Sequence, residues 1–178
     1  MNVGKVIAAT RNGAEFDLAC KSGVSVIFDL APDINLISER LDKAHKAGKR
    51  MFIHIDLAAG IGKDESGILF LKKLGIDGII STRVNIIKAA REHGIFTVQR
   101  FFIVDSHSVD TTLDSLRASK ADMIEIMPGT VSKVIRRLCI TVDTPIIAGG
   151  LIEEREEIEQ ATLNGATAVS TGKKELWK

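Results

Sequence analysis

The sequence has no tyrosine, one tryptophan and 4% aromatic residues among its 178. It therefore offers no aromatic platform on which unpaired RNA bases could stack. Its two cysteines, Cys20 and Cys139, stand far apart in apolar periodic segments. That spacing excludes a metal-ligand pair and leaves two buried reduced thiols as the expectation. The net charge is only +1, so no global basic field argues for nucleic acid. No apolar run approaches the ~18–20 residues of a membrane span. The N-terminus lacks the apolar core of a signal peptide. The expectation is a soluble, cytoplasmic protein without a membrane partner. Nucleotide signatures are missing too. No strand is followed by G-x-G-x-x-G, and Gly62-Lys63 lacks both the upstream glycine and the following Ser/Thr of a phosphate loop.

What is present is a hydrophobic content of 45% and a mean hydropathy of +0.14, which fit a well-buried α/β protein and not a disordered chain. Short β-rich runs are predicted over 5–10, 24–30, 50–56, 78–81, 96–103, 123–127, the run opening at Thr144, and 166–170. Helical segments are predicted over 14–21, 34–47, 68–74, 84–92, 109–119 and 131–138. A seventh carries Ile152, Ile158, Ala161 and Leu163, and a short one follows Gly172. Gly23, Gly48, Gly75, Gly94 and Asn164-Gly165 supply the stops. This alternation implies parallel strands, and eight units imply closure into a small single-domain (β/α)8 TIM barrel over 1–178. At about 22 residues per unit it is a minimal barrel, below the usual ~250 residues. An open doubly wound sheet is the rival architecture.

The C-terminal unit, TPIIAGGLIEEREEIEQATLNGATAVSTGKKELW, organises the reading. It reads as strand, Gly149-Gly150 turn, helix, strand, and Thr171-Gly172 turn. Bare backbone N–H groups at glycine turns and helix starts favour a phosphate, and barrels repeatedly place one after strands 7 and 8. Polar side chains at the other strand ends are candidates for the rest of a ligand. His54 and Asp56, two apart on one predicted strand, should both point inward. They could bind hydroxyls, run acid–base chemistry or hold a cation, but no second histidine at a neighbouring strand end supports a metal, and none is expected. Glu125 alternates with Ile124 and Ile126 and should face inward, and Gln99, with Thr97 and Phe101, should join the same layer. Arg83 opposes the dipole at a helix start, which favours an anion or carboxylate contact, and Arg11 is similar. The only lysine near the mouth is Lys173, just past strand eight, which argues against a Schiff-base aldolase. The loop 57–67, with Gly60, Gly62 and Gly67, is the candidate moving part.

ATRN (9–12), HIDLAAGIGKDESG (54–67), GIISTR (78–83), VQRFFIVDS (98–106), IEIMPG (124–129), AGGLI (148–152) and AVSTGKKELW (168–177), in this order, resemble the glycerol-uptake operon antiterminator regulatory proteins. The resemblance implies a barrel that senses glycerol 3-phosphate as effector, with no cofactor. Its liganded form acts on an mRNA leader so that transcription reads past a terminator. Carried onto this chain, the phosphate of a small phosphorylated polyol would rest on Gly149, Gly150, Thr171 and Gly172. The polyol end would meet His54, Asp56, Gln99 and Glu125. One departure is Gly172, where the family pattern has serine.

RNA contacts would be phosphate-directed, from Lys43, Lys46, Lys49 and Arg50, from Lys133, Arg136 and Arg137, or from Lys173, Lys174 and Lys178. A homodimer could combine two such patches. The alternatives are an enzyme acting on a small phosphorylated substrate, with Asp56 or Glu125 as base and His54 as partner, and a metabolite sensor that reports to a protein. Fold alone does not choose among these.

Overall fold

In the computed structural model, which describes residues 4–178, eight parallel strands close into one barrel in chain order. They are β1 (Val6–Thr10), β2 (Val26–Asp29), β3 (Arg50–His54), β4 (Gly78–Ser81), β5 (Phe96–Phe102), β6 (Met123–Met127), β7 (Ile146–Gly149) and β8 (Ala168–Thr171). Between them run α1 (Gly13–Lys21), α2 (Ile37–Lys46), α3 (Glu65–Leu74), α4 (Val84–Glu92), α5 (Ser106–Ser119), α6 (Ser132–Cys139) and α7 (Arg155–Leu163). This is the expected (β/α)8 TIM barrel. The first three residues of the expected 1–178 domain lie outside the described residues.

The strands are apolar on both faces, as parallel strands covered on both sides must be. One face of each fills the barrel, where Ile7, Val26, Phe28, Phe52, Ile80 and Val98 form a single cluster. Phe28 and Phe52 stack at 5.7 Å between ring centroids. Gly78 is glycine because a Cβ there would come within 2.7 Å of the Phe52 ring. The opposite faces, with Ala8, Ile27, Met51, Ile53 and Ile79, meet Phe16, Leu41, Ile68, Leu71 and Ile86 from the helices.

Side-chain caps move several helix starts. Asp64 accepts from the Gly67 amide, which begins α3 at Glu65 instead of 68. Gly67 thus lies in a helix turn packed against the Gly62 carbonyl, where a Cβ has no room, so it is a close-packing position and not a hinge. The remaining loop is anchored by Ala59, whose amide donates to the Pro32 carbonyl at 2.8 Å. Asp105 forms a capping box with Ser108, so α5 begins at Ser106 and His107 sits in its first turn.

After β8 the described residues form a single 3-10 turn, Lys174–Leu176, followed by Trp177. The indole joins the cluster of Ala8, Phe16 and Ala19, covering the ground between β8 and α1. The barrel itself is closed by the pairing of β8 with β1, and the indole seals the apolar seam beside that junction. Cys20 is buried in α1 and Cys139 half-buried in α6, both free, and burial pushes both thiols up from their ordinary pKa. Among the described residues no helix is long and apolar enough to cross a membrane.

Candidate functional site

The C-terminal ends of the strands open on a cleft of about 320 Å³ lined in part by Arg11, Arg100, Glu125, Gly150, Gly172 and Lys173. Thr171 also lines it, but its hydroxyl donates to the Ile152 carbonyl at 2.6 Å and accepts from the Lys173 amide at 2.9 Å, bracing the turn. The Gly172 amide has no hydrogen-bond partner among the described residues. A Cβ on Gly172 would stand 3.3 Å from Arg11 Nη1, so the guanidinium lies directly over this glycine. Gly150 has φ +74 and the following Leu151 φ +58. A left-handed leucine costs about 1–2 kcal/mol, a strain held at the rim of the cleft.

Gly149 stands apart from the other three turn residues. It does not line the cleft. A Cβ there would overlap Glu125 Oε1 and come within 2.6 Å of Ser170 Oγ. The missing side chain makes room for a buried polar contact on the barrel axis.

That contact belongs to the deepest polar group of the cleft. Glu125 points inward, as its alternation with Ile124 and Ile126 predicts, and is 1% exposed. Its Oε2 accepts from Arg100 Nε at 2.6 Å and its Oε1 from Ser170 Oγ at 2.5 Å. Breaking such a buried pair by removing one partner costs about 3–5 kcal/mol.

Gly149 is thus a packing position and not part of the phosphate rim expected from the sequence, and two side-chain expectations also require correction. Gln99 does not join the inward layer. It points outward, where its Oε1 accepts from Ser119 Oγ of α5 at 2.5 Å. The inward face of β5 is instead Phe96, Val98 and Arg100. The strand is apolar at both ends, so alternation alone did not fix its facing. Asp56 is not on a strand: β3 ends at His54, and Asp56 lies in the 3-10 turn Ile55–Leu57. There its Oδ1 accepts from Ser81 Oγ at 2.8 Å, and its Oδ2 from the Thr82 amide at 2.8 Å and Thr82 Oγ1 at 3.0 Å. Burial works against its charge, but the Thr82 amide and the Ser81 and Thr82 hydroxyls outweigh it and hold the carboxyl below its usual range. Asp56 therefore laces the end of β3 to the end of β4. Arg83 sits at the N-cap position of α4 without a side-chain capping bond, and its Nε stands 3.8 Å from Asp56 Oδ1, which offsets its repulsion from the helix dipole.

His54 does point inward and is 4% exposed. Burial first, then the Arg100 charge, push its pKa down to about 4 against the opposing pull of Asp56 and Glu125. The ring is neutral at neutral pH.

Arg100 and Ser170 are site residues that the sequence alone did not assign, while Lys173, expected near the mouth, does line the cleft. An arginine and a glutamate midway along consecutive strands is the signal that points to Arg100, since such charges are buried only in pairs. Ser170 is legible only from its alternation with Ala168. Among the described residues no group of three or more His, Cys, Asp or Glu could hold a metal.

Away from the cleft, Val134, Ile135 and Leu138 bury one face of α6 and leave Lys133, Arg136 and Arg137 exposed on the other. Arg137 Nη2 lies 3.5 Å from Asp110. In the other basic clusters Lys43 is bonded to Asp17, Lys49 to the Ser22 carbonyl, and Lys174 lies 3.8 Å from Glu15.

Comparison with known proteins places this geometry in a family. Residues 6–177 match the family described as glycerol-3-phosphate responsive antiterminator. The chain is 40% identical over 173 residues to the uncharacterized protein YgcP of Escherichia coli K12, covering 97% of this chain and 91% of that one. The glycerol uptake operon antiterminator regulatory protein of Listeria monocytogenes superposes with a TM-score of 0.92 at 31% identity, over 97% of this chain and 94% of that one. A glycerol uptake operon antiterminator-related protein of Thermotoga maritima gives a TM-score of 0.87 at 32% identity, over 98% of both. With nearly its whole length matched in sequence and in structure, this chain belongs to the glycerol-3-phosphate responsive antiterminator family.

Proposed function

We propose that this chain is a transcription antiterminator that takes glycerol 3-phosphate as effector and binds the mRNA leader of a glycerol uptake or utilisation operon. The carrying observation is the turn pair at the ends of β7 and β8. Gly150 and Gly172 bring bare backbone to one side of the cleft, and Arg11 and Lys173 add positive charge to its rim. A phosphate group fits this rim, because an open amide and two cations against the one carboxylate of Glu153 favour an anion over a neutral group. Thr171 braces the turn, and the floor of the cleft is left for the polyol.

Output follows by linkage: the ligand stabilises whichever arrangement of the mouth binds RNA better, and RNA in turn raises ligand affinity by the same factor. The RNA face is assigned to α6, through Lys133, Arg136 and Arg137. Calorimetric titration with glycerol 3-phosphate, repeated with a glycerol operon leader RNA present, tests the proposal. Ligand affinity that rises in the presence of RNA is the expected result. Ligand binding indifferent to RNA would leave a sensor without this output, and turnover of glycerol 3-phosphate would favour an enzyme.

A further inference from the structure

We propose that Arg100, held by Glu125 and Ser170, reads the hydroxyl end of the ligand and makes the site specific for a polyol monophosphate over a simple alkyl phosphate. The inference rests on the phosphate-cleft reading above and goes on to the other end of that cleft.

Arg100 is only 7% exposed, yet a single one of its side-chain donors is used inside the protein. Its Nε is spent on Glu125 Oε2 at 2.6 Å. Its two Nη groups, with four N–H donors between them, have no partner among the described residues, and the side chain lines the cleft. The Nη groups are not among the buried unpartnered atoms, so they reach the open cleft, where a ligand can meet them. Here they are held toward the cleft by the bond at Nε.

The neighbours supply the complementary half. Glu125 accepts one hydrogen bond at each oxygen, from Arg100 and from Ser170, and a carboxylate oxygen can accept another. Gly149 keeps this arrangement clear, since any side chain there would strike Glu125 and Ser170. The floor of the cleft thus combines fixed donors and fixed acceptors in one preorganised group.

Charge decides which group it receives. Arg100 and Glu125 cancel, so the floor has no net charge left to compensate a second anion. At the rim Arg11 and Lys173 outnumber the single Glu153 carboxylate, so the excess positive charge of the cleft lies there. The cleft therefore suits a molecule with one anionic end and one neutral end. That neutral end must both accept from Arg100 and donate to Glu125, which hydroxyl groups do and an alkyl chain cannot. A site built around such buried polar groups rejects an analogue lacking the hydroxyl, because its own groups are then left unpaired.

The experiment compares glycerol 3-phosphate with n-propyl phosphate by calorimetry on the full chain. In the wild type, glycerol 3-phosphate should bind roughly 10–100-fold more tightly. In the Arg100→Gln/Glu125→Gln double variant, which leaves no orphaned charge, the preference should fall to within about 3-fold while propyl phosphate affinity is retained. Ser170→Ala, a milder change, should lower the preference part of the way. A wild type that binds both ligands equally overturns this inference and leaves the phosphate-cleft reading standing. A wild type that binds neither overturns the phosphate-cleft reading itself. If the double variant does not fold, the wild-type ratio and Ser170→Ala decide. A preference unchanged in folded Ser170→Ala and in the folded double variant sinks the role given to Arg100.

Discussion

His54 and Asp56 are neighbours that do not bond: Nδ1 of the histidine stands 4.0 Å from Oδ2 of the aspartate. That nitrogen is buried with no hydrogen-bond partner. A charged imidazole would close on Asp56, but burial and the Arg100 charge hold the ring neutral, with its pKa pushed down to about 4. The folded pKa lies below the unfolded value near 6.5. Between the two values the unfolded chain takes up a proton that the folded one does not, so stability present above pH 6.5 is lost as pH falls toward 4. At about 1.4 kcal/mol per pH unit the ceiling is about 3 kcal/mol. Denaturant unfolding at pH 7 and pH 4.5 should show wild type losing markedly more stability than His54→Gln. Parallel losses would mean that His54 does not titrate in this way.

The placement of these two residues shows where sequence reading reached and where it stopped. The barrel was legible because strand–helix alternation runs without interruption from Val6 to Trp177. The facings of His54 and Glu125 were legible because isoleucines flank each and must meet the helices. Asp56 was misplaced because alternation continues past His54 while the strand ladder does not. The chain turns there to bring Asp56 to Ser81 and Thr82, contacts between elements that no local pattern carries. Gln99 and Arg100 were exchanged for a related reason. In FTVQRFF either face could be the buried one, and only the pairing of Arg100 with Glu125 on the next strand decides it.

Gly149 and Gly150 are adjacent in sequence and should respond differently to substitution. Gly149→Ala drives a methyl into the Glu125–Ser170 contact. It should destabilise by about 1–3 kcal/mol through overpacking, which is several degrees in Tm for a chain of this size. Gly150→Val meets the Met127 side chain and a left-handed backbone at the cleft rim. It should abolish phosphate-ligand binding while the barrel stays folded. Calorimetry and thermal unfolding on both variants separate the effects. Undiminished ligand affinity in Gly150→Val would remove this turn from the phosphate site.

Trp177 is buried against β1 and α1, so its removal should be costly. It is 3% exposed, and its Nε1 donates to the Thr171 carbonyl at 2.8 Å while its own carbonyl accepts from the Gly23 amide at 3.2 Å. Trp177→Ala should destabilise by about 3–5 kcal/mol. Trp177→Phe keeps most of the buried area, loses the indole donor, and should cost about 1–2 kcal/mol. A destabilisation under about 1 kcal/mol for the alanine variant, measured by denaturant unfolding, would show that the Trp177 contact adds little to the core between β1 and α1.

On the proposed function, variants on the exposed face of α6 should separate effector binding from RNA binding. Lys133 and Arg136 make no ion pair among the described residues, and both stand outside the cleft. Their charge is therefore free for phosphate groups, unlike that of Lys43, which is bonded to Asp17. Lys133→Glu with Arg136→Glu should weaken leader RNA binding across sequences and reduce its dependence on log salt concentration by roughly 2 in slope, about one for each phosphate that the variant no longer neutralises. Glycerol 3-phosphate affinity in the absence of RNA should not change, since neither residue lines the cleft. Filter binding across a salt series, with Lys43→Glu/Lys46→Glu as the comparison pair, measures the RNA affinity and its salt slope, and calorimetry measures the effector. RNA affinity that is unchanged in the α6 variant and reduced in the comparison pair would move the RNA face to α2. The effector site proposed in the cleft would stay where it is, because no residue of α6 lines that cleft.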